Sequence, residues 1–239
     1  MRVLLLIAAA IVLVTAFATR PVKAEGLDFS AGITGASERI FRGYSVTGGQ
    51  PGVEAWAEAD YKGFYVQVLG GNRSYDAAFS DFEVAGTAGF RHDLLGILFD
   101  AGATYTYFGG ALNDCLPNPD YFEFHLAAAT EIAGFNVAAA ARYSPDFIFS
   151  TGDYWRYEGG LSHAIPLGFD FADFSIFANV GHNNSQFGDW QDFKAGVQAD
   201  RGPFFLRASY STTNDFPIGG WIGANADGRV LFEVGALIN

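Results

Sequence analysis

Apolar and polar residues alternate with a period of two along most of this chain. The clearest run is "VEAWAEAD", with Val53, Ala55, Ala57 and Ala59 on one parity and Glu54, Trp56, Glu58 and Asp60 on the other. Such alternation marks a β-strand whose two faces meet different surroundings. It recurs in twelve segments, near 27–36, 52–61, 64–71, 82–91, 97–107, 121–132, 135–144, 154–165, 173–182, 190–200, 204–212 and 229–238. The 173–182 segment is the least regular, because Phe177 falls on the polar parity. Tight links ("YKGF", "HDLLG", "AGF", "RGP") follow the second, fourth, sixth and tenth segments, and "PLGFDFA" after the eighth is moderately longer. The links after the odd-numbered segments read as longer, rich in Gly, Asn, Asp and Pro.

The apolar parity is mostly too small for a core. A two-sheet sandwich needs side-chain volume between its layers, whereas a face turned to lipid has nothing to interdigitate with, so alanine suffices. Aromatics sit near the ends of this parity: Phe64, Phe90, Phe135 and Phe204 at one end, Tyr105, Tyr107, Tyr143 and Tyr210 at the other. That is where interfacial girdles stand. A strand of ~10 residues, rising ~3.3 Å each and tilted ~40°, climbs ~25 Å, enough for the apolar band. Backbone groups in lipid must all be bonded within the protein, so strands cross only as a closed barrel. The expected fold is all-β: a transmembrane antiparallel up-and-down barrel of about 12 strands. An even count with alternating long and short links puts both termini on the short-turn side.

The first 24 residues add an address. Arg2 precedes an uncharged apolar run, and Val22-Lys23-Ala24 ends it with small residues at the −3 and −1 positions. This predicts a signal peptide cleaved after Ala24 and a single barrel domain over 25–239. Aromatics at 16% with 30 Gly and one Met favour strands over helices. Without Arg2, Arg20 and Lys23, 11 basic residues face 26 acidic ones, a formal charge of −15. Such a surface repels nucleic acid. The lone Cys115 excludes an internal disulfide and reads as a loop residue.

The stretch "SERIFRGYSVTGGQPGVEAWAEADYKGFYVQVLGGN", with FRG-x-S-x-T, a following Pro and a strand pair, resembles the TorF-type porin family (Gcw_chp), proteobacterial outer-membrane proteins of unknown function. "RYSPDFIFSTGDYWRYEGGLSH" and "FGDWQDFKAGVQ" resemble later landmarks of that family, so the likeness covers most of the mature chain. It implies an outer-membrane barrel of a Gram-negative bacterium, inserted by the barrel-assembly machinery and surrounded by outer-membrane lipid. It names no substrate. The chain departs from the usual aromatic finish by ending "EVGALIN".

The inward parity supplies the candidate site. It carries Glu54, Glu58, Asp60, Glu83, Arg91, Asp100, Glu123, Glu131, Arg142, Arg156, Glu158, Asp192, Lys194, Arg207 and Glu233, with Asp28 and Asp200 adding to the acid surplus. Surplus acid would favour cations through any opening. Arg39 and Arg42 lie where the first strand meets the first long link, placed to narrow the mouth or to pair with loop acids. The leading expectation is a small, weakly cation-selective porin passing small solutes. Eight strands are filled by side chains and sixteen leave a channel, so a plugged barrel held by lumen ion pairs stands beside it, as does adhesion through the loops. His92, His125, His163 and His182 show neither metal-ligand spacing nor a nucleophile partner, so no enzyme, cofactor or metal is expected.

Overall fold

A computed structural model describes residues 26–74, 80–110, 118–168, 170–186, 188–214 and 227–238. The predicted signal peptide and Cys115 lie outside the described residues. Twelve strands close into a barrel: β1 (Leu27–Ala36), β4 (Gly52–Tyr61), β5 (Phe64–Asn72), β6 (Phe82–Leu94), β7 (Ile97–Gly109), β8 (Tyr121–Ile132), β9 (Phe135–Ser144), β10 (Tyr154–Ile165), β11 (Asp173–Ser185), β12 (Gly188–Arg201), β13 (Phe204–Asn214) and β14 (Arg229–Ile238). Two further short strands, β2 (Ile40–Phe41) and β3 (Tyr44–Ser45), form a separate hairpin. Each barrel strand pairs antiparallel with its chain neighbours, and β1 closes the ring against β14, Ala31 opposite Ile238 and Ala36 opposite Glu233. The ring itself has no free edge, as a bilayer requires.

The parity read from the sequence is the parity of the wall. Phe29, Phe64, Leu206, Phe232 and Ile238 are each more than 60% exposed, whereas Glu83, Asp100 and Glu123 on the opposite parity are at most 3% exposed. That inverts a water-soluble barrel, and a lipid band with a polar lumen accounts for it. Outward aromatics pair across neighbouring strands: Phe64 with Phe90 at 4.7 Å between ring centroids, and Tyr143 with Trp155 at 4.6 Å. Such pairs stiffen the girdles at the two rims.

Three tight turns at one end share one construction. Lys62-Gly63, Leu95-Gly96 and Ala133-Gly134 all have positive φ at both positions, the geometry whose twist matches a β-hairpin. Several strands run two or three residues past the segments read from the sequence, β6 to Leu94, β7 to Gly109 and β13 to Asn214, and at one place this changes a link. The link after the ninth segment is not long: β11 runs on to Ser185, β12 starts at Gly188, and Ser185 sits opposite Gly188. The run "HNNS", read as loop composition, is instead the end of β11, with Asn183 buried on the inner face and Asn184 exposed on the outer one. Phe177, the residue that broke the alternation, points inward and is buried under the Arg207 guanidinium, 5.4 Å from its ring.

The run of four alanines in β9 tests the two-faced wall. Ala139 is exposed on the outer face opposite Gly159, while Ala140 faces inward opposite Glu158. Ala139→Arg is expected to cost ~2–4 kcal/mol, because the charge sits in the bilayer. Ala140→Arg gains Glu158 as a neighbour and should fold nearly as well as the parent. Folding yield and denaturation midpoint in lipid vesicles measure both; equal tolerance would contradict the assignment of faces.

Candidate functional site

The residues between β1 and β4 do not leave the barrel. Ser37 continues the β1–β14 pairing, its N–H donating to the Phe232 carbonyl at 2.8 Å and its hydroxyl accepting from the Phe232 N–H at 3.0 Å. The chain then turns inward and forms the β2–β3 hairpin. Phe41 and Tyr44 face each other across an Arg42-Gly43 turn with φ of 48° and 90°. This is the same two-residue construction as the rim turns, placed inside the lumen. The returning strand is fixed at its base: the Val46 N–H donates to the Arg39 carbonyl (2.9 Å), and the Arg39 N–H donates to Thr47 Oγ1 (3.1 Å). The Ser74 N–H and hydroxyl reach the carbonyls of Val46 and Thr47 at 2.9 and 3.0 Å, tying the hairpin to the next link.

Apolar side chains seat the hairpin. Phe41, Tyr44 and Val46 join Phe108, Tyr121, Phe147, Ile148, Tyr154 and Trp190 in one buried cluster. Burial of each of the three hairpin residues contributes roughly 1.5–3 kcal/mol. The tip crosses the lumen. Trp190 Nε1 donates to the Arg42 carbonyl at 3.0 Å and Thr213 Oγ1 donates to the Gly43 carbonyl at 2.7 Å. A Cβ on Gly43 would lie 2.5 Å from Asp192 Cβ and 2.8 Å from Thr213 Oγ1, so only glycine brings this backbone so close.

The two arginines of the run meet carboxylates of the wall, not of the loops. Arg39, 5% exposed, holds Glu83 at 2.6 Å and Glu54 at 3.3 Å, and donates to the Asn72 carbonyl at 2.6 Å. Its stem crosses Gly52 and its guanidinium crosses Gly71, where an added Cβ would come within 2.3 and 2.6 Å of them. Glu83 also bonds Arg73. Arg42 holds Glu123 at 2.5 Å and lies over the rings of Phe41 (4.7 Å), Tyr154 (4.7 Å) and Phe147 (5.2 Å). Burial works against its charge, but the Glu123 carboxylate outweighs it and raises the Arg42 pKa well above the ordinary arginine value. The tip therefore stays cationic at any physiological pH.

From Glu123 an alternating chain of charge runs around the wall: Arg142 (3.0 Å), Glu158 (2.7 Å), Arg156 (3.0 Å) and Asp192 (2.6 Å), with Asn183 bonded to both Arg156 and Asp192. Among the described residues, this layer sets Arg39, Arg42, Arg73, Arg142 and Arg156 against Glu54, Glu83, Glu123, Glu158 and Asp192, so the acid surplus counted from the sequence is absent here. A second cluster lies nearer the short-turn end. Arg91 bonds Glu58 (2.5 Å) and Asp100 (3.3 Å) and lies 3.7 Å above the Tyr65 ring; Tyr65 and His125 both reach the same Asp100 oxygen, at 2.9 and 3.2 Å. A third joins Lys194 and Arg207 to Glu233 at 3.1 and 3.5 Å. Asp28 and Glu131 stand exposed near the short-turn end, where Asp60 and Asp200 also lie, and Asp81, Asp146, Asp153, Asp189 and Asp227 stand exposed at the long-link end, so acid remains at both ends.

Sequence parity placed the carboxylates and arginines on the inner wall but missed Arg73, Tyr65, Asn183, Trp190 and the aromatic seat. One signal was available: "FRGY" has the same X-Gly turn as "YKGF", "LLGI" and "IAGF", which marks it as a hairpin. Arg39→Ala would leave Glu54 without its cation and Glu83 with Arg73 alone. A loss of roughly 3 kcal/mol is expected from removing one partner of a buried pair, read as a lower urea midpoint in vesicles. Arg39→Lys should recover only part of it, since Lys lacks the fork that spans both carboxylates and the Asn72 carbonyl.

No curated protein sequence matches the chain. Among solved structures the barrel is similar to the NanC porin, with a TM-score of 0.53 at 7% identity, covering 87% of this chain and 98% of that one. At that identity the likeness is one of fold, a porin-type closed barrel. LpxR from Salmonella typhimurium has a TM-score of 0.48 at 11% identity, over 87% of this chain and 99% of its own. The family model described as "Bacterial protein of unknown function (Gcw_chp)" matches residues 21–230. The chain therefore belongs to the Gcw_chp family.

Proposed function

We propose that this protein is an outer-membrane channel for small solutes, closed in its resting form by the 37–51 hairpin. The porin-type barrel and its apolar outer band support the location and the architecture. The observation that carries the reading is the hairpin itself: a separate segment spans the lumen from β1 to the far wall, and its removal would leave the upper barrel lined by charged side chains. By the usual layout, the end that carries the long links and the hairpin faces outward, and the short-turn end with both termini faces the periplasm. The predicted signal peptide would deliver the chain there. In this reading the protein works without catalysis or cofactor; His125 is buried against Asp100 and Tyr65 as part of the wall.

A weak cation preference follows from the acids at the short-turn end, Asp28, Asp60, Glu131 and Asp200, which are not matched by the neutral layer at the hairpin. The compensated charge of that layer favours a second reading, a permanently plugged barrel. Planar-bilayer recordings separate the two. The parent should pass small or brief currents. Replacing residues 38–50 by a short Gly-Ser linker should raise the steady conductance several-fold, with a reversal potential on the cation side in a salt gradient. Asp28, Asp60 and Asp200 changed together to Asn should lower that preference. A shortened variant that inserts but passes no current would sink the channel reading.

A further inference from the structure

The side chain at the hairpin tip occupies a pocket that the rest of the barrel builds. Phe147 and Tyr154 stack on each other with centroids 4.1 Å apart and planes 12° from parallel, and Tyr121 packs against Phe147 at 4.6 Å. Glu123, beside them, is 3% exposed and held on its other oxygen by Arg142. None of these residues belongs to the hairpin, and their mutual contacts do not pass through Arg42. The pocket is thus an aromatic platform with one oriented carboxylate at its edge. Its chemistry suits a planar, weakly hydrated, delocalised cation: the faces attract positive charge, and the carboxylate takes an N–H in the plane.

Nothing in the hairpin's own closure requires arginine at this place. The corresponding first position in the rim turns is filled by Lys62, Leu95 and Ala133. Turns of this kind favour Asn, Asp or Gly where φ is positive, and Arg42 holds φ of 48°. All four of these turns set that preference aside, so the turn itself does not select Arg42; what its side chain does here is fill the pocket.

We propose that Glu123, Tyr154 and Phe147 form a guanidinium-binding site, that Arg42 fills it when the mouth is closed, and that a solute bearing a guanidinium group competes with Arg42 for it. The role in opening rests on the channel reading above; the binding does not. A competing solute would release the Arg42 side chain, leaving the hairpin held by the Arg39 end and by the bonds from Trp190 and Thr213 to the backbone of the tip.

The test is a titration of the purified barrel in detergent micelles with methylguanidinium chloride, followed by tryptophan fluorescence, since Trp190 lies 6.0 Å from Tyr154 and bonds the tip. Ionic strength is held constant with sodium chloride. Arg42→Ala should bind the probe saturably, at least tenfold more tightly than the parent, whose own arginine competes. Methylurea, the neutral analogue, should give no saturable change, and adding Glu123→Gln should abolish the response to methylguanidinium. If Arg42→Ala does not fold, Arg42→Lys serves, because its ammonium fits the platform less well and should yield to the probe more readily than the parent arginine does. A parent that binds as tightly as the variants, equal binding of methylurea, or binding that survives Glu123→Gln would each overturn the proposal. Because the readout needs no current, a barrel that binds but never conducts removes only the channel reading.

Discussion

A backbone in hydrocarbon finds no water, so every N–H and C=O must be bonded inside the protein. Most of this structure follows from that constraint. It requires the ring to close, which is why β1 returns to β14. It makes the outer face apolar and lets that face be built from alanine, because lipid chains fit any shape. It also leaves the lumen as the place where the spanning strands can put their polar residues. The lumen of a twelve-stranded ring must be occupied by the side chains of its inner parity, by an inserted segment, or by water.

What occupies the upper lumen is charge in balanced pairs and one inserted hairpin. The pairs are buried, and burying charge is costly unless each group is matched in place. Here the matching extends around the wall from Glu123 through Arg142, Glu158 and Arg156 to Asp192, each arginine shared between carboxylates. Such a chain favours one arrangement of neighbouring side chains over others. It gives the hairpin a fixed surface to dock on, with the aromatic cluster supplying the affinity. Arg39 ties the base of the hairpin to one side of this surface and Arg42 ties the tip to the other. The two arginines are therefore complementary in position, and the segment between them bridges the mouth.

The barrel was legible in the sequence to within a few residues. Each strand has one face in lipid and one in the lumen, so a period of two is written directly into the residue types: Ala, Val, Phe and Leu against Glu, Arg, Thr and Gly. A one-residue slip would invert both faces, so the register of strands such as β4 and β9 leaves little freedom. The reading failed where the alternation of apolar and polar residues stops. The upper ends of β11 and β12 look like loop composition, yet they pair to Ser185 and Gly188 because backbone ladders do not depend on side-chain polarity.

The sequence by itself determined which residues face inward, how many strands form the barrel, and that arginines stand beside acids in the lumen. Only the tertiary structure decided which charge meets which. Pairs such as Arg42 with Glu123, 81 residues apart, depend on the curvature of the ring and the inward turn after Ser37, and no local pattern encodes a distance across a barrel. The same holds for the surplus of acid. Composition counted it for the whole chain, but closure of the ring and insertion of the hairpin neutralised it in the layer around the hairpin and left exposed acids at the two ends. A count carries no position, whereas the effect of a charge depends on what lies within a few ångströms of it.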